Sequence, residues 1–306
     1  MPGLAAAHGA AAPPPEFPSV LLAWTFEPLS VVAVAVGAIG YWWLVRRVAH
    51  RHPRNRVPVM RHWFWYGGMA AIAAALLSPI ETYSGTLLTV HMLQHLLLQF
   101  VAAPLLLLAA PVTLLLRAVG PDARRRLLVV LHSRALRIVT FPLIGWFLFA
   151  AVNWGWHLAG DGAVYDYALE VEWVHWLEHG MLFGAALLFW LPVVAVDPVP
   201  WRLAYPVRLF YLFLAMPQNS FLGVAIMNAS EVLYPHYANI VRDWGPDPLV
   251  DQQAAGTLMW AWGDLTFVLA MFLVVVAWVR QDERRNARQE ARDDADAARH
   301  VPIESG

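Results

Sequence analysis

Residues 87–117 read LLTVHMLQHLLLQFVAAPLLLLAAPVTLLLR, and no Asp, Glu, Lys or Arg interrupts the run before Arg117. A helix needs roughly 20 mostly apolar residues to cross the hydrocarbon core of a bilayer, so this stretch spans with residues to spare. Pro104 and Pro111 are expected to kink it or end it early, leaving part of Leu105 to Leu116 as a bent or interfacial continuation. Outward from this run the same signature recurs at 27–45, 63–80, 138–158, 173–195, 204–227 and 255–279. Pro217 is expected to disturb the sixth of the seven segments. The chain therefore reads as an all-α membrane protein, a bundle of seven transmembrane helices.

Composition agrees. At 306 residues, 59% hydrophobic and only 14% charged, the chain is too apolar for a soluble domain. All basic residues are Arg, and they cluster. Arg46, Arg47, Arg51, Arg54, Arg56 and Arg61 follow the first span. Arg117, Arg124, Arg125, Arg126, Arg134 and Arg137 follow the third, Arg202 and Arg208 the fifth, and Arg280, Arg284, Arg285, Arg288, Arg292 and Arg299 the last. The opposite side holds only Arg242 beside acidic residues such as Asp161, Asp166, Glu170, Glu231 and Asp243. Basic loops stay inside, so the N-terminus is expected outside and the C-terminus in the cytoplasm. Residues 1–26 read as a disordered extracytoplasmic leader without a signal peptide's basic start, 27–280 as the transmembrane domain, and 281–306 as a charged, solvated cytoplasmic tail.

Several chemistries drop out. Without Cys there are no disulfides, thiolate metal sites, iron–sulfur clusters or thiol catalysis. No glycine-rich phosphate loop is present, and nothing points to nucleotide or nucleic acid as a partner.

Histidines carry the remaining signal. His91 and His95 lie one turn apart at the start of the third span, with Gln99 continuing the stripe and Met92 and Gln94 beside it. His175 and His179 repeat that spacing at the start of the fifth span, each within a turn of Glu172 or Glu178. His157 ends the fourth span beside Trp154 and Trp156. All of these fall at the outer membrane face. Two imidazoles one helical turn apart can grip one ion, while neighbouring carboxylates or amides orient them. For His157 a membrane-edge role stands equally against ligation, and for the set as a whole a proton relay or a structural polar network stands against metal. Imidazole suits copper, zinc and iron alike. Met92, Met181, Met227 and Met259, near the outer helix ends, lean towards Cu(I), although Met is also ordinary packing. Haem is the competitor, through axial His. Asp264, mid-membrane in the seventh span, and Gln218 and Asn219 after Pro217 are further polar candidates. Asp264 is expected either to line a proton- or metal-coupled path or to bond Asn219 or Asn153. His50, His52 and His62 sit among Arg and suit headgroup contact; His8, His132 and His300 carry no assigned role.

These segments resemble the CtaG-type cytochrome c oxidase assembly factors, a family of seven-helix membrane proteins. The likeness rests on His91, Met92, Leu93, Gln94 and His95 followed by Ala103, Pro104, Leu105, Leu106 and Pro111; on Trp156 and His157 with Tyr165 and Asp166; and on His175, Glu178, His179 and Phe183. It continues through Leu233, Tyr234, Pro235 and Tyr237 to Asp251, Gln252, Gln253, Ala255, Gly256, Met259 and Trp260. Where the family carries a Pro-Pro pair, this chain has Ala103-Pro104. The resemblance implies a non-enzymatic role in maturing a haem–copper oxidase in the bacterial inner (plasma) membrane, with oxidase subunits and the lipid bilayer as partners. It implies copper at the outer face, for which His91, His95, His175, His179 and His157 are the candidate ligands. Glu172 and Glu178 would orient the rings, Met92, Gln94 or Met259 would stand nearby, and the Asp251 to Gln253 loop would cap the site. A haem-binding or redox-active membrane enzyme using the same His, or a transporter, is the alternative.

Overall fold

The computed structural model describes residues 11–158 and 163–299, and side chains for all of these but 158, 163 and 294–299. His8, Asp161 and His300 lie outside what it describes. Among the described residues the regular elements are helices. They are α1 (Pro28–Arg51), α2 (Val59–Leu77), α3 (Pro79–Ser84), α4 (Leu88–Leu96), α5 (Ala103–Leu108), α6 (Pro111–Ala118), α7 (Pro121–Leu131), α8 (Arg134–Val139), α9 (Pro142–Leu158), α10 (Ala163–Glu170), α11 (Glu172–Val194), α12 (Tyr205–Met227), α13 (Pro235–Asn239) and α14 (Pro248–Arg299).

Five helical stretches are long and apolar enough to cross a membrane: Pro28–Arg51, Leu88–Ala118, Glu172–Val194, Tyr205–Met227 and Pro248–Asp293. Val36, Phe221 and Leu265, on three of them, are 64–69% exposed. An apolar exterior of this kind belongs in lipid. The other two expected spans are shorter or more polar. The 19 residues of α2 begin beside Arg61 and His62, and α9 has only 17 residues. The expected 138–158 segment divides because Pro142 has no N–H to continue a helix and disfavours a helical residue before it, so α8 stops at Val139.

Proline acts differently along the third span. A π-helical turn, Leu97–Ala102, precedes Pro104, so the helix absorbs this proline without ending. The break comes at Ala110, whose left-handed φ of 54° turns the chain before Pro111 opens α6. Pro217 leaves α12 continuous, against expectation. Both N-termini created along the third span are capped from far away. The Asp251 carboxylate accepts from Leu88 N at 2.6 Å and from the Thr89 hydroxyl at 2.6 Å. Asp197, just past α11, accepts from Val112 N at 3.1 Å and Thr113 N at 2.7 Å. Each buried carboxylate thereby satisfies helix-end N–H groups that have no partner within the helix.

Close crossings set the helix positions. A Cβ on Gly145 of α9 would stand 2.7 Å from the Leu188 carbonyl of α11, and one on Gly256 of α14 would stand 2.7 Å from the Gly223 carbonyl of α12. Only glycine lets these backbones approach so closely. The core between them holds Phe100, Phe149, Phe189, Trp190 and Phe267. The last helix runs on through the charged tail to Arg299. At the histidine end, residues of the expected disordered leader are held down. Ala12 N donates to Thr86 Oγ1 at 2.9 Å, and Thr25 N donates to the Leu77 carbonyl at 3.0 Å.

Candidate metal centre

Three helices bring the histidines together. α4 supplies His91 and His95, the end of α9 supplies His157, and α11 supplies His175, Glu178 and His179, all at most 5% exposed. α11 packs along Leu97–Leu108, so the third and fifth spans are neighbours, which spacing within the chain could not establish. Within each i, i+4 pair the ring centroids lie 4.4 Å (His91–His95) and 4.3 Å (His175–His179) apart. Between helices they lie 5.3 Å apart for His91–His175, 5.3 Å for His95–His179 and 5.8 Å for His95–His157.

Two ligand sets share His91. Donor atoms of His91, His95 and His179 fall within 4.8 Å of one another, as do those of His91, His175 and Glu178. The sharpest contact is between His91 Nε2 and His95 Nε2, 2.9 Å apart, with the Glu178 carboxylate 3.7 Å from His95 Nε2. Two such lone pairs repel unless a proton or a cation lies between them.

Outer hydrogen bonds fix the protons. The Tyr237 hydroxyl donates its single hydrogen to the Ser84 carbonyl at 3.0 Å, so at 3.0 Å it accepts from Nδ1–H of His91. Neutral His91 then turns a bare Nε2 into the cluster. His157 Nδ1 donates to the Asn153 carbonyl at 2.8 Å, which leaves its Nε2 likewise bare. Asn153 also donates to Gln99 Oε1 at 3.0 Å. Burial pushes the Tyr237 and Tyr165 hydroxyls well above the usual tyrosine range, so both stay protonated. Buried, neutral, convergent imidazoles beside a carboxylate form a site suited to a soft or borderline cation.

The other candidates point elsewhere. Gln94 lies 0% exposed but donates to the Ala75 carbonyl at 2.9 Å and to Glu81. One residue from His95 on a helix is about 100° away, so its side chain leaves the histidine face. Glu172 is exposed at the first turn of α11, beyond the cluster. Asp251 lies within α14 and caps α4, so no capping loop exists at 251–253. Met92 and Met259 pack in the apolar core. Asp264 is bonded by the Ser220 hydroxyl at 2.8 Å, whereas Asn219 donates to the Met259 carbonyl, so the expected Asp264–Asn219 or Asp264–Asn153 pair is replaced. Glu81 is a polar group that sequence reasoning passed over. Its carboxyl is pushed up to about 7, chiefly by burial, with the Glu27 charge adding to the rise and the Gln94 hydrogen bond opposing it.

The pattern defining the cytochrome c oxidase caa3 assembly factors (Caa3_CtaG) matches residues 39–281. The chain is 31% identical over 293 residues to the uncharacterized protein Mb0105 of Mycobacterium bovis, covering 93% of this chain and 44% of that one. It is 28% identical over 292 residues to the uncharacterized protein ML1998 of Mycobacterium leprae, covering 92% and 43%. The chain thus spans less than half the length of these curated relatives. No solved structure matches it significantly.

Proposed function

This chain belongs to the cytochrome c oxidase caa3 assembly factor family, and from that membership we propose that it is a non-enzymatic assembly factor holding copper, as cargo, for a haem–copper oxidase. The observation carrying the copper reading is the buried convergence of two triads that share His91, one with His95 and His179 and one with His175 and Glu178, each bringing donor atoms from two helices within 4.8 Å of one another. The His157 ring lies 5.8 Å from that of His95 and its buried Nε2 has no hydrogen-bond partner, which suits a fifth donor. Imidazole ligands hold copper more loosely than thiolates, as a protein that must give its metal up requires. What the chain itself does is fix the tautomer of two of the rings, through the Tyr237 hydroxyl for His91 and the Asn153 carbonyl for His157, and exclude water around the donors.

The topology that goes with this reading counts α2 and α9 as spans beside the five longer ones, giving seven. The arginine-rich end then faces the cytoplasm and the histidine end faces outward across a bacterial plasma membrane. Copper would be received and released on that outer side, where the oxidase subunits that need it are met.

Elemental analysis of the detergent-purified full chain loaded with Cu(I) tests the site. About one copper per chain is expected, and His91→Ala or His179→Ala should each lose it while eluting as folded protein. Copper retained in both variants, or absent from the parent, overturns the assignment.

A further inference from the structure

The arginine-rich end carries a cleft of about 600 Å³, at the other end of the Leu88–Ala118 span from the buried histidine cluster. Arg51, at the end of α1, Arg117, near the end of α6, and Arg124 and Arg125 of α7 line it together with Leu116 and Leu128. Among the described residues none of these four guanidinium groups lies within 4 Å of a carboxylate, since the one ion pair there joins His95 and Glu178. Arg117 gives one N–H to the Asn55 carbonyl, and Arg51, Arg124 and Arg125 are exposed. Four unneutralised arginines converging on one cleft attract an anion.

Its surroundings decide which anion. Arg117 is the first charged residue after the apolar run from Leu87, so the cleft sits where hydrocarbon gives way to headgroups. Val129 and Val130 of α7 are 69% and 59% exposed beside Arg124 and Arg125, the mixed surface of a helix lying on a membrane. Inorganic phosphate would satisfy the arginines but leave Leu116 and Leu128 facing water, whereas an amphiphile satisfies both. We propose that this cleft binds an anionic glycerophospholipid, its phosphate between the arginines and its acyl chains along Leu116 and Leu128.

Native mass spectrometry of the full chain in detergent, titrated with phosphatidylglycerol or phosphatidylcholine, tests this. Phosphatidylglycerol is expected to bind at least about tenfold more tightly than phosphatidylcholine, and the double variant Arg124→Gln/Arg125→Gln to lose a similar factor. Arg284→Gln/Arg285→Gln removes the same charge from the tail helix and should leave the affinity unchanged. Both pairs are exposed, so the fold is kept. Equal losses in the two double variants would mean diffuse charge attraction, and equal binding of the two lipids or displacement by millimolar phosphate would mean no lipid site. Each of these results overturns the proposal.

Discussion

The Tyr237 hydroxyl stands 3.0 Å from His91 Nδ1 while giving its own hydrogen to the Ser84 carbonyl, 3.0 Å away. This places the His91 proton on Nδ1 and turns Nε2 towards His95. Tyr237→Phe removes that constraint without emptying the volume. Copper affinity should fall by about 10- to 100-fold with the thermal midpoint nearly unchanged, as competition against a Cu(I) chelator would read. An affinity equal to the parent's would mean that the tyrosine does not set the tautomer.

Asp251 holds the start of α4 from 163 residues away, accepting from Leu88 N at 2.6 Å. Asp251→Ala strands those N–H groups and should destabilise the protein by about 2 kcal/mol in detergent unfolding. His91 lies in that first turn, two residues past Thr89, so copper occupancy should fall with it.

The α9–α11 crossing depends on Gly145, whose added Cβ would meet the Leu188 carbonyl at 2.7 Å. Backbone cannot step aside as a side chain can, so Gly145→Ala should cost about 1–3 kcal/mol. Gly180→Ala, on α11 with nothing within 4 Å of the new methyl, should be neutral or slightly stabilising. Equal midpoints for the two variants would contradict this account of the crossing.

Glu81 makes stability depend on pH. Its carboxyl is raised from 4.5 to about 7, so the folded chain binds that proton more tightly than the unfolded one. The contribution is therefore fully present below pH 4.5 and is lost as pH rises towards 7. The thermal midpoint should fall across that window, and Glu81→Gln should flatten the fall. A slope unchanged in Glu81→Gln would assign it to other groups.

Much of this was legible from residues alone, because apolar runs and helical spacing are local properties. The run from Leu87 to Leu116 marks a span, and His91 with His95 must share a face whatever surrounds them. What escaped was long-range or fine-grained. Asp251 reads as a loop acid, since nothing near it in the chain reveals Leu88 N. Asp197 reads as nothing at all for the same reason. Glu172, three residues before His175, shares its side of the helix but stands at the solvent-facing first turn, which spacing does not report. The fate of proline also depended on context: Pro104 was absorbed by a π-helical turn and Pro217 by α12, whereas Pro142 ended a segment.

Whether α4 and α11 share one imidazole site is read by X-ray absorption at the copper edge of the Cu(I)-loaded chain. The account predicts a first shell of nitrogen and oxygen with imidazole outer-shell scattering, unaltered by Met92→Leu or Met259→Leu and changed by both His91→Ala and His179→Ala. A sulfur shell, or a spectrum that either His variant leaves untouched, would contradict it.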